Sequence, residues 1–141
     1  MKVVFDIDVV LDALIDKRPG GEAARKLLLA AASGRITGVV CAHQIAIIYL
    51  VVKKAMGAST AQKAIVNMLR LLSISKVDST ACKNAAALPV AEFDKALVLI
   101  CAQHETADYI AAKAAELLEA KVSIKTMTPE AIIQALASSS S

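Results

Sequence analysis

Two spacings of apolar residues alternate along the chain. Residues 2–6, KVVFD, form a β-branched apolar run that ends in an acid, which predicts a buried strand. Val9, Val10, Ala13 and Leu14 follow at helical spacing, and residues 17–21, KRPGG, predict a loop. A second helix opens at Glu22, with Ala24, Leu27, Leu28 and Ala31 on one face and Gly34 as a left-handed C-terminal cap. Residues 37–41 read as a second strand and residues 45–55 as a mostly buried helix closed by Gly57. Residues 59–72 give the clearest helical stripe: Ala61, Ala64, Ile65, Met68, Leu69 and Leu72, with Ser59 and Gln62 at capping-box spacing. A short strand over 73–77 follows. Asp78 or Ser79 then caps a small helix that ends before Pro89, and a further helix spans 92–103. Residues 108–111 predict a strand, 112–119 a helix and 121–125 a last strand. Thr128-Pro129-Glu130 marks a helix start, with an N-cap, a proline in the first turn and an acid at the positive end of the helix. Residues 138–141, all serine, are expected to be disordered.

Strands that alternate with helices imply a parallel sheet covered on both faces, because parallel neighbours need a crossover between them. The 141 residues predict one domain over 1–137, with no internal repeat and no linker. Hydrophobic residues make up 57% and charged residues 21%, which excludes a disordered chain. The longest apolar run, residues 45–52, falls well short of the roughly 20 residues that span a bilayer. The N-terminus enters an alternating charged and apolar pattern at once, so no signal peptide is expected.

A net charge of +3 permits contact with nucleic acid without arguing for it. With no Trp, two Tyr and two Phe, the chain lacks the rings for a stacking surface. Cys41, Cys82 and Cys101 are widely spaced in apolar settings and form no CxxC pair. They are expected as reduced core thiols, which points to a cytoplasmic protein.

In this order and length the chain resembles the PIN domain family. The opening KVVFDIDVVLDAL is the most specific match. GRITGVVCAHQIAIIYL (34–50) resembles the family's second strand and following helix. AEFDKALVLICA (91–102) resembles the helix usually written D-F-E-D-A-L, and ADYIAAKAAELL (107–118) resembles A-D-Y-I-V-T-R-N-K-K-D-F. Residues 126–130, TMTPE, resemble the closing strand-to-helix turn. The resemblance implies a three-layer α/β/α sandwich around a central parallel sheet of order 3-2-1-4-5. Many members are Mg²⁺-dependent ribonucleases, and many bacterial members are toxins of toxin–antitoxin pairs.

Such a nuclease gathers acids at the carboxyl ends of its strands. Mg²⁺ binds through hard oxygen ligands and activates water against phosphate. Asp6 matches the first family acid and Asp8 the following Asn or Asp position, while Ile7 stands where a hydroxyl is usual. The second acid aligns with Ile47, with His43 and Gln44 as the nearest polar residues, off register. The third aligns with Lys95, and Asp94 lies one residue earlier, about 100° around the helix. The T-R-N-x-x-D segment reads Ala112, Lys113, Ala114, Ala115, Glu116, Leu117, with Glu116 displaced by one. Of four acidic stations, only the first holds its register.

An ammonium at a metal position repels Mg²⁺. The resemblance therefore implies a degenerate site, with Lys95, or failing it Lys113, paired to Asp6 in place of the ion. On the residues alone, Asp8 reads as a helix cap, and Asp94 and Glu92 as first-turn acids. His43 and His104 are too isolated in sequence to argue for a metal. The expected function is binding or self-association without cleavage and without a metal cofactor. The resemblance also implies pairing of two copies through the helices at 45–55 and 59–72. Two alternatives stay open. One is a ribonuclease of toxin type using Mg²⁺ or Mn²⁺ at Asp6, Asp8 and Asp94. The other is an RNA binder in which Lys95 and Lys113 hold phosphate. An antitoxin-like protein or RNA is the corresponding partner.

Overall fold

The computed structural model describes residues 1–113, 115–118 and 124–139. The elements run β1 (Lys2–Phe5), α1 (Ile7–Leu14), α2 (Gly21–Ala32), β2 (Thr37–Cys41), α3 (Ala42–Met56), α4 (Ala58–Leu71), β3 (Ser73–Ser75) and α5 (Ser79–Ala86). They continue with α6 (Phe93–His104), β4 (Tyr109–Ala111), α7 (Ala115–Leu118), β5 (Lys125–Met127) and α8 (Pro129–Ser139). The five strands form one sheet in the order β3-β2-β1-β4-β5, and every pairing is parallel.

β1 lies at the centre, and its Val3, Val4 and Phe5 are fully buried. Its alternation assigns the two helical layers. Val3 and Phe5, with Val40 of β2, face a core built with α1, α2, α3, α4 and α8, which contribute Val9, Leu27, Ile48, Met68 and Ile132. Val4, with Val39, Cys41 and Ile110, faces the other core, where Val98 and Leu99 of α6 and Leu117 of α7 pack. α5 packs on the outside of α6 through Ala85 and Leu97. This is the α/β/α sandwich, with the expected strand order.

The first helical layer sits very close to β2 at Gly38. A Cβ there would collide with Leu72 and would lie 3.2 Å from both Ala31 and Phe5. A hydrogen at this position lets the α2 and α4 ends of the layer reach the sheet.

Several element bounds differ from the sequence expectation, each for a local reason. α3 begins at Ala42, directly from β2, so His43 and Gln44 stand in its first turn rather than in a loop. α4 begins at Ala58 after Gly57, whose φ of 91° breaks the chain direction, and Ser59 makes no cap hydrogen bond. Asp78 does cap α5, accepting the Ala81 N–H at 2.9 Å. The last strand is Lys125–Met127, where each residue pairs with β4, rather than 121–125; residues 121–123 lie outside the described residues. α7 runs over Ala115–Leu118, with Ala112 and Lys113 outside it; residues 114 and 119 of the expected helix lie outside the described residues. α8 starts with the Thr128 hydroxyl accepting the Ala131 N–H at 3.3 Å. It continues to Ser139, two residues into the expected disordered tail, because a helix already nucleated extends at little cost. Ser140 and Ser141 lie outside the described residues. Among the described residues, no helix is long and apolar enough to cross a membrane.

Candidate functional site

The carboxyl ends of β1 and β2 meet the N-termini of α3 and α6, and a polar cluster fills the meeting point. Asp6 follows β1 directly. Its N–H donates to the Ala111 carbonyl at 2.9 Å, so the sheet hydrogen bonding continues one residue past the strand. Its backbone then turns into α1 as the N-cap residue, but its carboxylate does not cap that helix. The side chain is fully buried and points instead toward α3 and α6.

Lys95 Nζ lies 3.0 Å from Asp6 Oδ1 and 2.8 Å from Oδ2, a two-oxygen ion pair in which Lys95 is 11% exposed and Asp6 fully buried. Gln44 Nε2 donates to Asp6 Oδ1 at 2.9 Å and to Asp94 Oδ1 at 3.0 Å, bridging the two carboxylates. His43 Nε2 donates to Asp94 Oδ1 at 2.6 Å, and the Lys95 ammonium lies 3.2 Å from Asp94 Oδ2. Burial works against the charged form of Lys95, but Asp6 and Asp94 outweigh it and raise the ammonium pKa. Asp94 is held well below the usual carboxylate range. The His43 hydrogen bond is the main cause, aided by Gln44 and Lys95 and opposed by partial burial.

The helices are arranged so that each brings two neighbouring polar residues. α3 presents His43 and Gln44 in its first turn, and α6 presents Asp94 and Lys95 in its own. Asp94 is a first-turn acid, as its sequence position suggests, and it is also the hub of this cluster. Gln44 is the residue that sequence reasoning undervalued. Ile47, where the second acid was expected, is 44% exposed, while Gln44, about one turn earlier, is completely buried. The usable signal was a long polar side chain directly after a buried parallel strand, on the helix that follows it.

Other expected positions fall elsewhere. Asp8 sits in the first turn of α1, and no hydrogen bond or ion pair joins it to Asp6 among the described residues. Lys113 does not reach Asp6. It leaves the end of β4 toward α1, where its Nζ meets Asp12 Oδ2 at 2.6 Å, and Arg18 lies 3.8 Å from the other oxygen of that buried carboxylate. Lys113 thus neutralises a different acid, one the sequence did not single out. Leu117, at a family acid position, is fully buried beside Val4 and Val98. The side chain of Glu116 lies outside the described residues.

A divalent cation asks for several oxygen ligands around an open centre. Here the only acid of the four stations in register already has both oxygens on an ammonium. The neighbouring polar groups are an amide, an imidazole and a second carboxylate engaged by them. Among the described residues, no group of three or more His, Cys, Asp or Glu side chains is placed to hold a metal ion. Gln44 Oε1 and His43 Nδ1 are buried without a hydrogen-bond partner among the described residues, so the cluster is not fully satisfied.

Two outcomes are expected of this cluster. Lys95→Met keeps the stem and removes the charge, leaving Asp6 buried and uncompensated; urea denaturation is expected to show a loss of about 3–5 kcal/mol. Asp94 has a folded pKa below its unfolded value of about 4. Its contribution to stability is therefore complete above that value and is lost as pH falls from there through the lower folded pKa. Urea midpoints measured at falling pH should drop less steeply for Asp94→Asn than for the wild type, and equal slopes would contradict this.

The comparisons with known proteins agree with this architecture. The PIN domain family matches residues 2–113. Among solved structures, VapBC2 from Rickettsia felis, bound to a DNA fragment from their promoter, aligns with a TM-score of 0.70 at 14% identity, covering 91% of this chain and 98% of that one. Mycobacterium tuberculosis VapC20, described as a Sarcin-Ricin loop cleaving toxin, aligns with a TM-score of 0.68 at 12% identity, covering 86% and 98%. Identities this low carry the fold alone. No curated protein matches in sequence. The family match over most of the chain, the central parallel sheet and the acid at the end of its first strand together show that this chain belongs to the PIN domain family.

Proposed function

We propose that this PIN domain does not cleave nucleic acid and acts by binding, through a second copy of itself or a partner protein. The observation that supports this most is the Lys95 ammonium on both oxygens of Asp6. A cation placed there as part of the chain competes with any dissolved divalent ion at an effective concentration no metal reaches in solution. Displacing it would also leave a largely buried ammonium facing the divalent ion that took its carboxylate. The remaining acids do not make up the loss: Asp94 is held by His43 and Gln44, and Asp8 is not joined to the cluster. On this reading the old catalytic centre is a structural joint between the sheet and two helices, and it carries no resident Mg²⁺ or Mn²⁺.

The same logic weakens an RNA-binding reading. Lys95 and Lys113, the two cations nearest the strand ends in the sequence alignment, each already hold a carboxylate. The outer helical layer has more to offer a partner. Ile47 and Leu50 of α3 and Val66 and Leu69 of α4 are exposed, with Leu50 at 61%. Scattered exposed apolar residues are ordinary, but four on two adjoining helices form a surface that a second copy could cover. The fold likeness to VapBC2 and the toxin–antitoxin members of the family make a small antitoxin-like protein the alternative occupant. Three free cysteines fit a cytoplasmic setting.

The test is metal-dependent. Millimolar Mn²⁺ should leave the wild-type melting temperature unchanged and should not promote cleavage of a mixed RNA substrate. Lys95→Asp, in contrast, should gain thermal stability from the same ion. A rise of several degrees in the wild type, or cleavage that needs added metal, would overturn the reading. Light scattering at micromolar concentration is expected to give the mass of a dimer, and Leu50→Asp should shift it to that of a monomer. A monomeric wild type would leave a partner protein as the occupant of the α3–α4 surface.

A further inference from the structure

Two thiols lie against each other in the second core, and nothing in the preceding reading uses them. Cys41 is the last residue of β2 and the N-cap residue of α3; Cys101 is in the last two turns of α6. Both are buried in the cluster that joins the sheet to α6, and Cys41 pairs across the strands with Ser75, the neighbour of the Lys76 whose carbonyl the Cys101 sulfur faces. Around them the setting is more polar than a plain core. Cys101 Sγ faces the Lys76 carbonyl at 3.9 Å. Ser75, which pairs with Cys41 across β2 and β3, is fully buried, and its hydroxyl has no partner of ordinary geometry among the described residues; the Cys101 sulfur is the group it approaches.

Cys101 is also where this buried pair comes closest to solvent. It forms part of the wall of a cavity of about 450 Å³ between α5 and α6, lined further by Lys76, Asp78, Ala81, Asn84 and His104. Cys41 is fully buried. The hydrogen bond from Cys41 brings the Cys101 thiol down to about 6 against the opposing effect of burial, while the same contact and burial push Cys41 up. The sulfur beside the cavity is thus the better nucleophile, and the sulfur behind it is in place to resolve the product.

We propose that Cys41 and Cys101 are a redox-sensitive dithiol that hydrogen peroxide converts to a disulfide, tying the β2–α3 junction to α6. The Cys101 thiolate attacks the peroxide oxygen, the O–O bond breaks, and Cys101 becomes a sulfenic acid as hydroxide leaves and takes up a proton. Cys41 sulfur then attacks Cys101 sulfur; the S–O bond breaks, and hydroxide leaves with the Cys41 proton as water. The two thiols lose two electrons and two protons, and the peroxide is reduced to water. The bond would join the two helices that carry His43, Gln44, Asp94 and Lys95, so oxidation would fix the cover over Asp6 in place. The inference does not depend on whether that site cleaves RNA.

The test uses Cys82→Ser, which removes the third thiol, alongside the wild type. Each is treated with excess hydrogen peroxide, unfolded in the presence of N-ethylmaleimide, and analysed by intact mass and peptide mapping. The expected result is a loss of about two mass units in Cys82→Ser, the same loss together with one maleimide on Cys82 in the wild type, and in both a Cys41–Cys101 cross-linked peptide, no maleimide on either of those residues, and reversal by dithiothreitol. Maleimide on both residues after peroxide, sulfinic acid on Cys101 beside a free Cys41, or a wild-type disulfide that includes Cys82 would each overturn the proposal.

Discussion

The buried carboxylate of Asp6 is the constraint from which the rest of this site follows. It lies at the end of the central strand, fully removed from water, with an apolar sheet below it. A lone charge in that position would cost more than a domain of this size could carry. Something cationic has to stand beside it, and here Lys95 does. To bring that ammonium to the strand end, α6 must start close to the sheet, which places Asp94 at the same spot. Asp94 in turn needs donors, and the first turn of α3 supplies His43 and Gln44. One buried charge thereby fixes where two helices begin.

The same accounting applies on the far side of β1. Asp12, also buried, is met by Lys113 and Arg18. Two lysines at the strand ends thus serve two acids, and neither is left over for phosphate. A buried ion pair is poor support for net stability, since its desolvation cost offsets most of its Coulomb gain. Its value here is positional: it defines the register of α6 against β1 and of the β4 end against α1. A nuclease would spend such acids on a metal; the proposed binding protein spends them on its own framework.

The thiol pair shows the same economy of location. Cys41 precedes His43 by two residues and Cys101 follows Lys95 by two turns, so a bond between them would clamp the helices that the ion-pair cluster already joins. The dithiol lies behind the polar site and shares its elements, which makes the state of one relevant to the rigidity of the other.

The sequence by itself determined most of the fold. Residues 2–6 and 37–41 fit buried strands, the 3.6 period over residues 59–72 marks a helix, and the order of motifs pointed to the family. It also marked Asp6 and Lys95, because a cation standing where a metal ligand is usual is visible in one dimension. Element ends were less legible: whether α3 starts at residue 42 or 45 depends on how closely β2 feeds into it, which apolar periodicity does not record. That difference decided the site. Three residues of earlier start turn His43 and Gln44 from loop positions into the donors that hold Asp94 and Asp6. Lys113 shows the limit in the other direction. The family resemblance placed it near Asp6, but the direction in which a long side chain leaves the end of β4 is set by the charge it finds there, and the buried Asp12 on α1 was that charge. The contact of Cys41 with Cys101 was equally invisible, because residues so far apart in sequence are brought together only by packing α6 on the sheet.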